Sequence, residues 1–185
     1  MRIISGLYRG RVLETPQGND IRPTSDKVRG SVFNILRGRG VLEGARAMDV
    51  FCGTGALGLE ALSNGAASCV FVDVVRESLD LARGNTEMLG AEGASFILQD
   101  AVSLKERRRG IEPVSVVFMD PPYGEGLVVS ALEVLYEGDW LMDGAVIVVE
   151  VEKGFTGTVA APFVVEDERV YGCLLYTSPS PRDRG

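Results

Sequence analysis

The 185-residue chain contains no histidine. That absence excludes Ser-His-Asp and Cys-His triads, a histidine general base and histidine-ligated metals. Cysteine is scarce: Cys52, Cys69 and Cys173 are scattered, odd in number and form no C-x-x-C pair. They suggest neither a disulfide framework nor a zinc site, so a reducing cytoplasm is the expected compartment. No apolar run reaches the length of a membrane span. The opening "MRIISGLYRGR" lacks the apolar stretch of a secretory signal. Any catalysis therefore falls to carboxylates, backbone groups, Lys, Tyr or a cofactor, and no metal is expected.

What is present is ordinary for a globular protein, with 45% apolar and 24% charged residues. The length suits one domain with a proper core and a small appendage. The net charge of −7 at first argues against a nucleic-acid partner. The charge is uneven, however. Residues 1–46 hold nine Lys/Arg against four Asp/Glu, whereas the remainder holds ten against twenty-two. A basic N-terminal segment precedes an acidic body. It reads either as a solvated arm or as a phosphate-contacting appendage.

Residues 2–14, "RIISGLYRGRVLE", read as a short hairpin around a Gly-containing turn. "TPQGNDIRPTSD" is loop, punctuated by Pro16, Gly18, Asn19 and Pro23. Residues 25–37 carry Val28, Val32, Ile35 and Leu36 near helical period behind a Ser or Thr cap. From Ala45 onward, apolar strands alternate with amphipathic helices. Strands are expected at "RAMDVF", "SCVFVDV", "ASFIL", "VSVVFMD" and "AVIVVEV". Helices are expected at 54–64, 76–89 and 127–137, with a charged helix or loop through "LKERRRG". This pattern implies a mostly parallel sheet covered on both faces, the doubly wound α/β class. "FVVEDERVYG" reads as a late strand, and "YTSPSPRDRG" as a disordered or foreign tail.

Three constellations carry chemistry. The first is "DVFCGTGALGLEAL", in which Gly53, Gly55 and Gly58 match G-x-G-x-x-G. Such glycines allow a tight turn and close backbone approach, with a helix N-terminus behind them. Asp49, four residues before Gly53, would repel a pyrophosphate but pair with an ammonium group. That tilts the loop from a dinucleotide toward an amino-acid-bearing nucleoside. The second is Asp73 at the end of strand two, where a carboxylate accepts from ribose hydroxyls of either ligand. Asp100, after strand three, can accept from an adenine amino group. The third is "DPPY", Asp120 to Tyr123 after strand four. Pro121 and Pro122 remove two backbone donors, so the loop presents acceptors: the Asp120 carboxylate and the Pro121 carbonyl. Tyr123 adds a stacking face worth about 1–3 kcal/mol per base. Two acceptors can take both protons of an exocyclic amine and aim its lone pair at an electrophile.

"DVFCGTGALGLEAL", "FVD", "QDA" and "DPPY" stand in the order and spacing of class I S-adenosylmethionine-dependent amino-methyltransferases. "RIISGLYRGRVL" and "IRPTSDKVRGSVFNIL" resemble one family in particular, the bacterial RsmD family, over about residues 2–172. Members methylate the N2 amine of a guanine in 16S ribosomal RNA. The segment Arg22, Pro23, Thr24, Asp26, Arg29, Phe33 and Asn34 separates this resemblance from DNA adenine methyltransferases. So does Asp120, where most N6-adenine and glutamine methyltransferases carry Asn.

The resemblance implies a seven-stranded Rossmann-like methyltransferase sheet over residues 41–175, an RNA-contacting β-hairpin/helix extension over 1–40, and a tail over 176–185. It implies S-adenosylmethionine held by Asp49, Phe51, Gly53, Gly55, Asp73, Val74, Asp100 and Ala101. The catalytic residues would be Asp120, Pro121, Pro122 and Tyr123. Arg9, Arg11, Arg22, Thr24 and Arg29 would face RNA. The implied partner is 16S rRNA, within the small ribosomal subunit or an assembly intermediate, met by a monomer without membrane association. After Gly172, "CLLYTSPSPRDRG" replaces the family's usual continuation, so the final strand is either disrupted or still pairs through Cys173–Tyr176. Other readings keep the chemistry and change the substrate to DNA adenine, another RNA base or a protein amide. A non-catalytic cofactor-binding module is a further reading, and a dehydrogenase leaves Asp-Pro-Pro-Tyr unexplained.

Overall fold

The computed structural model describes residues 1–17, 26–122, 126–151, 162–169 and 173–177. After the N-terminal segment come α1 (Asp26–Gly38), β1 (Arg46–Val50), α2 (Ala56–Ser63), β2 (Ser68–Asp73) and α3 (Arg76–Leu89). Then follow β3 (Ala94–Leu98), a 3-10 turn (Ala101–Ser103), β4 (Val114–Met119), α4 (Leu127–Glu137), β5 (Leu141–Glu150), β6 (Val164–Arg169) and β7 (Cys173–Thr177). The sheet order is β3-β2-β1-β4-β5-β7-β6. β1 to β5 run parallel, and β7 then β6 continue the sheet as an antiparallel pair.

Strand alternation sorts the core into two layers. Ala47, Phe71, Val116, Phe118, Val146 and Val148 face one way, toward α1, α2, α3 and the N-terminal segment. Met48, Val50, Val70, Val72, Val117, Met119, Ile147 and Val149 face the other, toward α4, Trp140 and the residues around Leu104. Asp49 lies two residues after Ala47, so the pleat sends its carboxylate into the first layer, toward α2. Residues 1–17 and α1 share that layer: Ile3, Leu13, Val32, Phe33 and Leu36 are all buried in it. Phe33 of α1 stacks on Phe118 of β4, with ring centroids 5.2 Å apart. The N-terminal stretch is packed into the same core as the sheet.

The expected hairpin forms as a single antiparallel bridge, Arg2 to Val12, with its open end at Met1 and Leu13. Its turn docks on the far end of α2, where the Leu7 N–H meets the Ser63 carbonyl at 2.8 Å. α2 starts at Ala56 rather than 54, because Gly55 sits at φ 80, outside right-handed helix. β5 starts four residues before the expected Ala145. The added residues are absorbed by a register shift between Val114↔Leu141 and Val116↔Val146.

The final strand is not disrupted. β7 lies between β5 and β6, with Leu175 opposite Val148. "CLLYT" is β-prone, and a ladder needs only backbone groups, so this departure from the family's usual residues still pairs. The expected tail boundary at 176 therefore moves: Tyr176 and Thr177 belong to β7. Residues 178–185 lie outside the described residues.

Candidate active site

β1 ends in a strained step. Phe51 has φ 60, a conformation that costs a bulky residue about 1–3 kcal/mol and marks sites where geometry is over-determined. Phe51 is half-buried against the second layer. The chain then turns tightly, with the Gly55 N–H donating to the Cys52 carbonyl at 2.8 Å. Gly58 answers a different need. A Cβ there would meet Phe71 Cε1 at 2.5 Å and Cys69 Sγ at 2.7 Å. Its missing side chain lets α2 lie close on β2.

Asp49 is buried, and its Oδ2 accepts from the Gly58 N–H at 2.9 Å. Burial pushes its carboxyl well above the usual carboxylate range; the Gly58 amide opposes this, and the charges of Asp120 and Asp73 add to it. The pairing of β1 with β2 and β4 therefore brings the carboxylates of Asp49, Asp73 and Asp120 into one electrostatic neighbourhood. They come from the carboxyl ends of β1, β2 and β4, where open α/β sheets bind ligands. Burial also pushes up the neighbouring Cys52 and Cys69 thiols, which argues against a thiolate nucleophile here.

Asp73 holds the glycine loop. Its Oδ2 accepts from the Gly53 N–H at 3.0 Å and its Oδ1 from the Val75 N–H at 2.9 Å. A Cβ on Gly53 would meet nothing within 4 Å, so the loop leaves room for a ligand at that point. Beside it, Val74 is 61% exposed and Leu98 43%. Leu98 pairs with Asp73 across β2 and β3. Asp100 caps the 3-10 turn, its Oδ1 accepting from the Val102 N–H at 3.1 Å, and Ala101 is buried. Asp73 and Asp100 thus stand beside the exposed apolar side chains of Val74 and Leu98.

Asp120 and Pro121 follow β4 and are half-buried; Pro122 is exposed. Tyr123 lies outside the described residues, as do Arg22 and Thr24. Arg9 and Arg11 are exposed, and Arg11 Nη2 donates to the Met88 carbonyl at 2.8 Å.

Arg29 is a correction. Expected to face RNA, it is fully buried. Its Nη2 donates to the Arg2 carbonyl at 2.8 Å and pairs with Asp26 at 2.7 Å. Arg29 Nε and Nη1 and Glu60 Oε2 are buried without hydrogen-bond partners. Glu60 Oε1 accepts from the Ile4 N–H. Burial raises the Glu60 pKa, and the Ile4 amide and the Arg29 charge pull it back. Arg29 thus ties α1 to the N-terminal segment from inside.

Asn85, not among the residues expected at the site, is fully buried on α3 and bonded to both Glu14 and Thr54. A signal existed: Leu79, Ala82, Thr86 and Leu89 form the buried stripe of α3, and Asn85 is a polar residue at a stripe position.

The chain matches the family described as "Conserved hypothetical protein 95" over residues 1–177. It is 36% identical to ribosomal RNA small subunit methyltransferase D of Escherichia coli (strain K12), covering 95% of this chain and 87% of that one. It is 34% identical to the protein of the same name in Haemophilus influenzae, covering 95% and 91%. Among solved structures, the one described as "Putative methyltransferase yhhF from Escherichia coli" superposes with a TM-score of 0.83 at 34% identity, covering 97% of this chain and 98% of that one.

Proposed function

The chain belongs to the RsmD family of ribosomal RNA small subunit methyltransferases, and on that premise we propose that it transfers a methyl group from S-adenosylmethionine to the N2 amine of a guanine in 16S rRNA. The observation that carries the reading is the convergence of Asp49, Asp73 and Asp120 beside the glycine loop. Asp49 and the loop bind the methionine end, Asp73 the ribose, and Asp100 with the Ala101 backbone the adenine. Phe51 and Val74 supply apolar contact.

The cofactor supplies an electrophilic methyl group on a sulfonium; the protein supplies position and electrostatics. The guanine ring delocalises the amine lone pair, so the nitrogen is a weak nucleophile. Asp120 and the Pro121 carbonyl accept its two N–H bonds and favour the pyramidal form that attacks. Asp120 need not be a strong base, because the N–H becomes acidic only as the new bond forms. Pro122 stiffens the loop and Tyr123 stacks on the base. The target guanine leaves its stack to enter, at a cost of a few kcal/mol that favours loops and bulges over duplex.

Residues 1–40 contact the RNA backbone, with Arg9, Arg11 and Arg22 at phosphates and Thr24 beside them. Arg29 supports that segment from within. The reading carries with it a monomer acting in the cytoplasm, on the small subunit or an assembly intermediate. The test is incubation with labelled S-adenosylmethionine and unmodified small subunits, naked rRNA or DNA, followed by mapping of the modified nucleotide. Label on N2 of one 16S guanine is expected. Label on DNA adenine, or none on any substrate, would reject the assignment.

A further inference from the structure

Asn85 is enclosed in the core, yet its side chain makes no apolar use of the position. Its amide nitrogen donates to the Thr54 carbonyl and to the Glu14 carbonyl, both at 3.0 Å. Its oxygen accepts from the Glu14 N–H at 2.7 Å. Both amide protons are committed. The flipped amide would set its oxygen against two carbonyls, so one orientation alone satisfies the site.

The two segments that Asn85 joins belong to different tasks. Thr54 is the centre of the glycine loop, preceded by Gly53, whose N–H is held by Asp73. Glu14 is where the bridged N-terminal segment hands over to the stretch that carries Arg22 and Thr24. A second contact runs beside the first: Thr54 Oγ1 meets Met1 Sδ at 3.7 Å, and the Met1 carbonyl accepts from the Leu13 N–H at 2.9 Å. The open end of the N-terminal bridge is therefore fastened to the loop, while its turn sits at the far end of α2, about 12 Å away by helix rise.

A strand neighbour would have satisfied Glu14 equally well. Here both of its backbone groups go instead to a side chain that also grips the cofactor loop. We infer that Asn85 is a positioning residue through which RNA on the N-terminal segment and cofactor in the glycine loop strengthen each other's binding. The inference rests on the cofactor and RNA reading above. Asn85 already holds Glu14 and Thr54 as one unit, so a ligand that restrains one of the two segments reduces the ordering that the other ligand has still to impose. The coupling is reciprocal: RNA tightens cofactor by the same factor as cofactor tightens RNA.

The test uses the full chain and S-adenosylhomocysteine, an unreactive probe of the same site, titrated calorimetrically without RNA, with unmodified small ribosomal subunits and with naked 16S rRNA. In the wild type, RNA should lower the Kd for the probe about fivefold or more. In Asn85→Ala the ratio of the two Kd values should fall to near one. Asn85→Asp keeps the size and the acceptor for Glu14 but loses both donors, and should also uncouple. A purely structural Asn85 would lower the melting temperature and weaken both ligands yet leave the ratio at its wild-type value; that result overturns the inference. Wild-type binding of the probe that RNA does not alter overturns the coupling and leaves the cofactor site standing. No binding of the probe at all overturns both. Hydrogen exchange on the wild type needs no variant: RNA alone should slow the amides of residues 53–55, and unchanged exchange there also overturns the coupling.

Discussion

Asp49 at the end of β1 and Gly58 in the first turns of α2 are joined by a 2.9 Å hydrogen bond from amide to carboxylate. The bond fastens strand to helix on either side of the glycine loop. It also leaves a buried acid in the neighbourhood of two others, a tension that a cationic ligand relieves.

That tension has a pH signature. A carboxyl whose pKa is raised on folding binds its proton more tightly in the native state. Its contribution to stability is full below the ordinary carboxylate range and is lost as pH rises through the raised native value. Asp49→Asn removes this loss. The ligand-free variant should melt higher than wild type near pH 7, with the gap closing toward pH 4. Its affinity for S-adenosylmethionine should fall about tenfold or more, the scale of a lost charge-assisted hydrogen bond. Melting curves across pH and calorimetry with the cofactor check the two opposite signs. Unchanged cofactor affinity would remove Asp49 from the ligand site.

Asp120→Ala removes an acceptor from the amine. Turnover should drop about 10²-fold or more, the scale seen when one preorganised polar group is removed from a reacting centre. Cofactor affinity should change little. Single-turnover kinetics separate the two quantities, and wild-type turnover in this variant would sink the proposed mechanism.

Arg29→Met leaves Glu60 buried beside no cation. Breaking one half of a buried charge arrangement costs about 3–5 kcal/mol. The double variant Arg29→Met, Glu60→Leu should recover much of that loss, because neither charge then remains. Urea denaturation of the single and double variants measures the difference. A double variant no more stable than Arg29→Met would show that the two residues do not compensate each other.

Exposed Arg9 and Arg11 should behave differently from buried Arg29. Replacing either with Ala should weaken RNA binding across sequences and flatten the salt dependence. The log–log slope should fall by about 0.7 for each single-strand phosphate that is no longer neutralised. Melting temperature should hardly move. Binding isotherms at several salt concentrations provide the measurement, and an unaltered slope would place that arginine away from the phosphates.

Gly58→Ala should destabilise by about 1–3 kcal/mol, the usual cost of overpacking a core. The added methyl would press on the Phe71 ring and the Cys69 sulfur. Chemical denaturation reads this directly, and a neutral substitution would mean that α2 lifts from β2 without penalty.

Alternation of period made the sheet legible before any coordinates. α3 and α4 begin and end where helical spacing places them, and β1 to β4 fall within the apolar runs. The carboxylates were legible because strand ends are where such sheets bind. Periodicity places Arg29 and Asn85 on the buried stripes of their helices; what it could not give was the distant partners that let a polar side chain stay there. Arg29 turns inward because Asp26 and the Arg2 carbonyl meet it there. Asn85 turns inward because Glu14 and Thr54, distant in sequence, both need a partner. The two outcomes open for the last strand could not be separated in the sequence for a related reason. Its side-chain identity departs from the family, but its place in the sheet depends on backbone pairing with β5.

The order of the strands sets the acids of the candidate site apart from the antiparallel flank. Every acid of the candidate site stands on or just after β1, β2, β3 or β4, and β5 separates them from β7 and β6. The antiparallel pair is a flank away from those acids, yet Glu166 of β6 meets Arg39, just past the end of α1, at 2.6 Å. A change in the flank can therefore reach the N-terminal extension through that ion pair without passing the acids of the site.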